Sequence, residues 1–264
     1  MFKQLESFVG VIWSLVLALK AAAEQQGEEP EDFIQFLQTR DGKILVPGMV
    51  EFVVMARRGK KPGKPVSRQL EEWRIFYKKF FNYKLDVESI RIPTRLDGYD
   101  RLIVVAKGFT LNQIYAAMAK QFTCSSYADD LDKVVIHNAR DANRDGTYAV
   151  WVRDQREADK ENRSKSAYDL WGTKNPVFVP EMPFITLGER MLYELKHWDE
   201  TGDQLDQDSW TQCLGSRGAD GDVLCVRFAP GYVHVSWSGC LNSGPDLGAR
   251  SAVSRPLEPS GAQA

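Results

Sequence analysis

The chain has four cysteines, Cys124, Cys213, Cys225 and Cys240, and their spacing bears on redox and metal chemistry. None belongs to a C-x-x-C pair, and the intervals between the last three match no local metal-binding signature. Four scattered cysteines in 264 residues are also too few for a disulfide framework. The pattern therefore favours free thiols in a reducing compartment. An enzyme that uses a metal or a reactive cysteine in a pocket is the alternative.

Three histidines, His137, His197 and His234, could supply acid–base or metal-ligating groups, but they lie far apart in the sequence. None is part of an H-E-x-x-H motif or near G-x-S-x-G, and the chain has no Walker loop and no strand-following G-x-G-x-x-G. His197 lies near the predicted end of a helix, where a histidine interacts favourably with the helix dipole. Local sequence therefore predicts no catalytic residue, no metal ligand and no cofactor.

Two acidic segments resemble cation sites in part. Residues 141–146 read D-x-N-x-D-G, the first half of a calcium loop, but position 12 of that loop is Val152 instead of an acidic residue. We therefore predict an Asx-rich turn before a strand. Asp129, Asp130 and Asp132 could ligate a hard cation, but three acids on one loop are more typical of a solvated patch.

A basic run at residues 57–64 is the candidate for phosphate binding. It contains Gly and Pro but no aromatic residue on which a base could stack. The formal net charge of −2 gives the whole chain no general attraction for polyanions. We predict a solvated loop over residues 57–65 and no nucleic-acid partner, with a nucleic-acid-binding accessory protein as a further alternative.

The amino terminus carries a nearly unbroken apolar run at residues 8–19, which is too short to span a bilayer as a helix. Apolar residues recur every three to four positions from Phe2 to Leu19, and this predicts an amphipathic packing helix. A signal peptide over residues 1–23 is the alternative. Because 43% of the residues are hydrophobic and 27% charged, we expect a soluble protein without a membrane span, cytoplasmic by default.

The pattern of secondary structure changes near residue 85. Residues 1–84 are mostly helical in pattern and are interpreted as an accessory region. Beyond them, the pattern of apolar residues at 101–106 and 148–152 predicts strands. Thr186 and Glu189 form a capping box at the start of a long helix. The last part of the chain predicts short strands joined by glycine turns, so the fold class is α+β.

The tail of the chain has an unusual amino-acid alphabet. Residues 214–257 contain no Lys, Glu, Gln, Met, Thr or Ile, although residues 1–213 use all six. Randomising the adenines of AAC-type codons excludes Lys, Glu, Gln, Met and Trp, and of these five the stretch contains only Trp237. Such randomisation does not explain the missing Thr and Ile. A glycine-rich β segment of biased composition is the alternative.

Residues 232–237 alternate between two kinds of side chain, as a strand with two different faces requires. We expect the apolar set to face the core and the other set to be displayed. The apolar set is Val233, Val235 and Trp237, and the displayed set is Tyr232, His234 and Ser236.

The sequence of this tail resembles that of the variable proteins of diversity-generating retroelements, specifically those of the bacterial group. The resemblance covers roughly residues 85–254. It rests on residues 209–217, on Gly221-Asp222-Val223, on V-x-V-x-W at 233–237 and on the closing segment 247–254, with weaker similarity at 101–106, 148–154 and 186–206.

The resemblance implies a C-type-lectin-like (formylglycine-generating-enzyme-like) domain over residues 85–254, with a variable region at about 214–254. Residues 255–264 are too polar and too short to fold alone, so we predict a disordered tail there. It implies binding of an unidentified protein or cell-surface ligand, without catalysis. Arg227, Phe228 and Tyr232 would be the main anchors, because Arg and aromatic side chains contribute most contact energy. The displayed positions implied are Cys225, Arg227, Phe228, Ala229, Tyr232, His234, Ser236, Ser238, Cys240, Leu241, Asn242 and Ser243.

Overall fold

The computed structural model describes residues 64–254 and one earlier position, the helical residue Gln35. The apolar run at residues 8–19, residues 57–63 of the basic run and the tail at residues 255–264 lie outside the described residues.

Contacts divide the chain into two compact units, Met1–Arg68 and Gln69–Ala264. The second unit begins well before the expected boundary at residue 85. Most of the helix that precedes this boundary therefore belongs to the same unit as the strands that follow.

The described helices and strands are numbered in chain order. The helices are α1 (Val66–Phe81), α2 (Leu111–Ala119), α3 (Leu131–Val134), α4 (Ala142–Asp145), α5 (Ala167–Trp171) and α6 (Leu187–Thr201), with a 3-10 turn at Lys160–Asn162. The strands are β1 (Arg101–Val105), β2 (Cys124–Ser126), β3 (Val135–Asn138), β4 (Tyr148–Val152), β5 (Trp210–Gln212), β6 (Ser216–Gly218), β7 (Val223–Ala229), β8 (Tyr232–Ser238) and β9 (Leu247–Ala249).

The strands form a five-stranded sheet and two smaller pairs. The larger sheet has the order β2-β8-β7-β5-β9, in which β7 and β8 are an antiparallel hairpin and the outer strands β2 and β9 run parallel to their neighbours. The antiparallel pairs are β1 with β4 and β3 with β6. The architecture is mixed α+β, as predicted.

Helix α6 is the central element of the second unit, and residues 187–196 are all buried. It contacts β1, β7 and α2. Its start is fixed by the predicted capping box, since Thr186 Oγ1 accepts from Glu189 N (3.2 Å) and Glu189 Oε2 accepts from Thr186 N (2.8 Å). The helix ends at Gly202, which has a left-handed backbone conformation (φ 73°).

Helix α1 supplies hydrogen bonds to the backbone edge of β1 that β4 does not use. Gln69 accepts from Leu102 N and donates to Asp100 O, and Trp73 Nε1 donates to Leu102 O (2.9 Å). One turn further along, the Tyr77 hydroxyl donates to Val104 O (2.9 Å) and accepts from Ala106 N (3.0 Å). Residues four apart on a helix share one face, so one side of α1 matches the two-residue repeat of the strand.

A network of four buried charges joins α6 to the closing segment of the chain. Arg190 pairs with Glu194 (2.6 Å) and with Asp206 (2.8 Å), and Asp206 also pairs with Arg250 (2.6 Å). Thr211, on β5, donates its hydroxyl to Asp206 (2.6 Å). Two cations and two anions in mutual contact compensate one another, which a buried charge requires.

Candidate ligand-binding surface

The β7–β8 hairpin separates two kinds of side chain by its register. Val226 and Val235 are paired and lie on the face that packs toward α6, and both are fully buried, as is Val233. The core-facing prediction is therefore confirmed for Val233 and Val235. The opposite face, called the display face below, carries the cross-strand pairs Val223–Ser238, Cys225–Ser236, Arg227–His234 and Ala229–Tyr232.

One half of the display face is covered by the chain that precedes and includes α5. Val223 belongs to a buried cluster that also includes Ala167 and Ala249. Gln212, the β5 neighbour of Cys225, is buried and donates to Lys165 O (2.9 Å). Cys225 is consequently only 2% exposed. The prediction that Cys225 is displayed is wrong, because this covering segment cannot be recognised from alternation within the strand.

The other half of the display face, near the β7–β8 turn, is open. One row of residues crosses all five strands there. In the order of the strands from β2 to β9, its members are Ser125, His234, Arg227, Trp210 and Leu247. All five side chains are partly exposed. Tyr232, one step nearer the turn, is 37% exposed.

Four of these side chains form a connected group, called the aromatic–basic cluster: Trp210, Arg227, Tyr232 and His234. The Arg227 guanidinium lies 5.2 Å from the Trp210 ring centroid, a cation–π distance. The His234 ring contacts Trp210 edge to face at 5.7 Å and Tyr232 at 5.9 Å. The cluster draws its members from β5, β7 and β8, so its geometry is set by the sheet.

Polar groups in the aromatic–basic cluster have few partners within the protein. Arg227 donates from Nε to Phe228 O at 3.4 Å, and within residues 64–254 no carboxylate forms an ion pair with it. His234 Nδ1 is shielded from solvent and has no hydrogen-bond partner in the same part of the chain. Arg227 is partly exposed, so water can reach it, whereas a buried nitrogen without a partner, such as His234 Nδ1, is uncommon in folded proteins.

Two further sequence-based assignments are corrected by the register. Trp237, predicted in the core, is 52% exposed. The neighbouring strand β2 ends at Ser126 opposite Val235, so Trp237 extends past the edge of the packed layer. Phe228, predicted as a displayed anchor beside Arg227, is paired with Val233 and so lies on the face toward α6.

The remaining predicted positions lie at the surface to different degrees. Ala229, Ser236, Ser238 and Cys240 are partly exposed. Leu241, Asn242 and Ser243 are exposed in the turn after β8, where Asn242 donates to Ser238 Oγ (3.2 Å) and to Gly239 O (2.9 Å).

Sequence reasoning did not include Trp210, Ser125 and Leu247 in the site. They come from β5, β2 and β9, which are separated in sequence from the hairpin that they flank. Alternation within one strand identifies a face but not the neighbouring strands that extend it. Trp210 was the strongest available signal, since a tryptophan at a strand position is a common binding anchor.

The acidic segments have structural roles. Asp141 Oδ1 accepts from Asn143 N (2.8 Å) and caps α4, which confirms the predicted Asx turn. Asp130 caps α3, and Asp132 accepts from Leu111 N (2.8 Å) at the start of α2. Within the described residues, no group of three or more His, Cys, Asp or Glu side chains is placed to hold a metal ion.

Three thiols lie in surroundings that disfavour the thiolate, which is the reactive form of cysteine. Burial raises the pKa of Cys124 and of Cys225 to about 12, and it raises the pKa of Cys213 well above the usual range. Reactive cysteines have a lowered pKa, because the thiolate is the nucleophile. These three positions therefore do not support the enzyme alternative.

A cavity of about 280 Å³ lies away from the display face, lined by residues of α2, α4 and the start of α6. Its main polar groups already have partners. Arg140 binds Glu189 (2.7 Å) and the carbonyl of Phe184 (2.7 Å), and the Tyr148 hydroxyl also binds Glu189 (3.0 Å). The cavity therefore offers a ligand fewer unpaired polar groups than the aromatic–basic cluster does.

Comparison of the chain with protein-family models, with curated proteins and with solved structures finds no match. Among the helices of residues 64–254, none has the length and apolar character needed to cross a membrane.

Proposed function

We propose that this protein is a ligand-binding display protein whose display-face residues are diversified by a retroelement, on a C-type-lectin-like domain. The observation that carries the proposal is that the β7–β8 hairpin has one buried face and one partly exposed face. Val226, Val233 and Val235 are fully buried, whereas on the opposite face Arg227 is partly exposed and Tyr232 is 37% exposed. A binding surface of this kind can change its side chains without disturbing the core.

A packed helix and buried ion pairs support the display face from beneath. Helix α6 packs against β7, and the buried ion pairs of Asp206 fix both α6 and the segment after β9. Binding loops and surfaces gain affinity when the scaffold is preorganised, since less conformational entropy is lost on association. The hairpin is therefore suited to present varied side chains in constant positions.

The resemblance of the tail to retroelement-diversified variable proteins supplies the reason for variation. The missing Lys, Glu, Gln and Met of residues 214–257 agree with adenine-directed randomisation. The partner under this proposal is a protein or cell-surface ligand that contacts the open half of the display face, and no catalytic step is involved.

The proposal is tested by two matched combinatorial libraries, each expressed on a cell surface and sorted for resistance to protease. One library randomises Arg227, Tyr232, His234, Ser236 and Ser238. The control library randomises the same number of core-facing positions: Leu224, Val226, Val233, Val235 and Thr211. We expect most members of the first library and few of the second to remain folded, because exposed substitutions usually change stability by less than about 0.5 kcal/mol.

Equal loss of folded members in both libraries would contradict the proposal. The retroelement part is tested separately in the genome that encodes the chain. A near-copy of the region for residues 214–254 that differs at adenines, beside a reverse transcriptase gene, is the expected finding. A locus without such a template repeat would remove diversification from the proposal, and the libraries would then test only whether the display face tolerates substitution.

A further inference from the structure

Strand β2 leaves one edge of the five-stranded sheet without a hydrogen-bonded neighbour among residues 64–254. The ladder between β2 and β8 uses alternate residues of β2, and Tyr127 N, which donates to Val235 O (3.0 Å), belongs to the set that faces β8. Cys124 and Ser126 belong to the other set, so their backbone N–H and C=O groups point away from β8. Within the described part of the chain, these groups have no hydrogen-bond partner.

Two other strand edges of the second unit are covered, which sets β2 apart. At β9, Leu247 O accepts from Ser164 N (2.8 Å) and Ala249 O accepts from Asp159 N (3.1 Å). At β1, the side chains of α1 occupy the free backbone groups. Strand β2 contains no charged residue and no proline, the residue types that commonly prevent strand addition. Its edge is therefore able to accept another strand.

The edge of β2 is self-complementary about Ser125. When an identical strand approaches in the antiparallel direction, Cys124 of each copy lies opposite Ser126 of the other, and their outward N–H and C=O groups bond in pairs. Ser125 then lies opposite its own counterpart at a non-hydrogen-bonded position, where the Cα atoms are about 4.5 Å apart. The side chains of all three residues are small and uncharged, so they allow the two backbones to approach.

The residues that flank β2 complement each other in the same arrangement. Thr123 and Tyr127 are both exposed, and each is two positions from Ser125 and so lies on the same face. Antiparallel pairing about Ser125 places Tyr127 of each copy opposite Thr123 of the other. An aromatic side chain opposite a β-branched one is a favourable cross-strand pair, and the symmetry supplies this pair twice. A second copy therefore fits the edge at its centre and at both ends.

We infer that two copies of this chain associate through β2, which joins two five-stranded sheets into one sheet of ten strands. The two-fold axis passes beside Ser125 and is perpendicular to the sheet, so both display faces point in the same direction. A ligand with repeated binding sites can then contact both copies and gain affinity by avidity. Only two residues of each strand exchange backbone bonds, so the interface is small and the association is reversible.

The first test places charges on the two-fold axis. Ser125→Lys and Ser125→Glu each bring like charges directly opposite one another, and each should raise the dissociation constant of the dimer about fivefold or more. An equal mixture of the two variants should associate at least as tightly as the parent, because opposite charges then face each other. Sedimentation of the full-length protein from micromolar to millimolar concentration measures the association. Ser243→Lys and Ser243→Glu make the same charge changes on an exposed turn and should associate like the parent.

The second test uses a disulfide across the axis. The Cα separation at Ser125 suits a disulfide, so Ser125→Cys should form a covalent dimer under mild oxidation. Ser243→Cys, whose position is more exposed, is the control for cross-linking by random collision, and the parent is the control for the native cysteines. Non-reducing electrophoresis of samples taken during oxidation should show Ser125→Cys dimers forming well before dimers of either control.

A parent that stays monomeric at every concentration would overturn the inference and leave the edge of β2 to a strand from another protein. Self-association that Ser125→Lys and Ser125→Glu do not change would also overturn it, since the contact would then lie on another surface. The same holds for a mixture that associates no better than the separate variants. Recovery of the dimer on mixing would show that both variants are folded, so loss of association could not be attributed to unfolding.

Discussion

Asp206 and Arg250 form an ion pair of 2.6 Å although neither side chain is more than 1% exposed. Asp206 follows α6 and Arg250 follows β9, so the pair joins two segments that are far apart in the sequence. Asp206 also contacts Arg190 and Thr211, which makes it the shared acceptor of the buried network. The Asp206 carboxylate therefore links α6 and β5 to the segment that follows β9.

Replacing Asp206 by Ala should destabilise the protein by about 3–5 kcal/mol, because two buried guanidinium groups would lose a shared anion. The free energy of unfolding in urea measures the effect. Asp208→Ala is the matched control, since Asp208 is 73% exposed in its side chain and its contact with Arg156 is long (3.5 Å). That control should change stability by less than about 0.5 kcal/mol. Similar losses for both variants would argue against a structural role for the network.

Two tryptophans should respond differently to truncation. Trp151 is fully buried and its Nε1 donates to Pro93 O (2.8 Å), so Trp151→Ala should cost about 3–5 kcal/mol. Trp237 is 52% exposed, and Trp237→Ala should cost roughly 1 kcal/mol because only part of its apolar surface is buried. Chemical unfolding of both variants at neutral pH tests the difference. A larger loss for Trp237→Ala would place that side chain in the core.

The thiol of Cys225 should make stability fall at alkaline pH. Its pKa is raised from 9.0 to about 12 in the folded protein by burial, so between these values the unfolded chain binds fewer protons than the folded chain. Stability from this group is therefore complete below about pH 9 and is lost as the pH rises, by about 1.4 kcal/mol per pH unit.

Urea unfolding of the parent and of Cys225→Ala at several pH values between neutrality and the alkaline limit of the folded state checks this. The quantity of interest is the slope of stability against pH, which should be shallower for Cys225→Ala. Cys240→Ala is the control for removing a cysteine from a partly exposed position. Parallel profiles for parent and Cys225→Ala would show that the thiol ionises as readily in the folded protein as in the unfolded chain.

The hydroxyl of Tyr77 should contribute measurably to stability. It donates to Val104 O and accepts from Ala106 N, so Tyr77→Phe leaves a buried donor and a buried acceptor of the strand without their partner. We expect a loss of about 1–3 kcal/mol by urea unfolding. Tyr168→Phe is the isosteric control at a surface site and should be nearly neutral. Equal stability of the two variants would mean that water replaces the missing hydroxyl.

Local signals predicted the elements whose ends are marked by specific side chains. The capping box of Thr186 and Glu189 located the start of α6, and the apolar runs located β1 and β4 within a residue. Alternation assigned Val233 and His234 to opposite faces. These features depend on residues close in the sequence, so the sequence alone was sufficient.

The parts that sequence reasoning missed depend on contacts between distant segments. Cys225 is buried by a covering segment more than fifty residues earlier in the chain, and Trp237 is exposed because β2 stops short of it. Trp210 joins the aromatic–basic cluster only through the strand order of the sheet. Strand order and the length of neighbouring strands are tertiary properties, and no periodicity within one strand encodes them.

The side chains of α1 that bond to β1 have a consequence for how copies of this protein behave at high concentration. A strand with free N–H and C=O groups along one edge is a template on which another chain can add a strand, which leads to aggregation. Gln69, Trp73 and Tyr77 occupy these groups from Asp100 to Ala106. The helix thereby prevents a second copy of the protein from adding a strand to β1, which is fully buried and contains three β-branched residues.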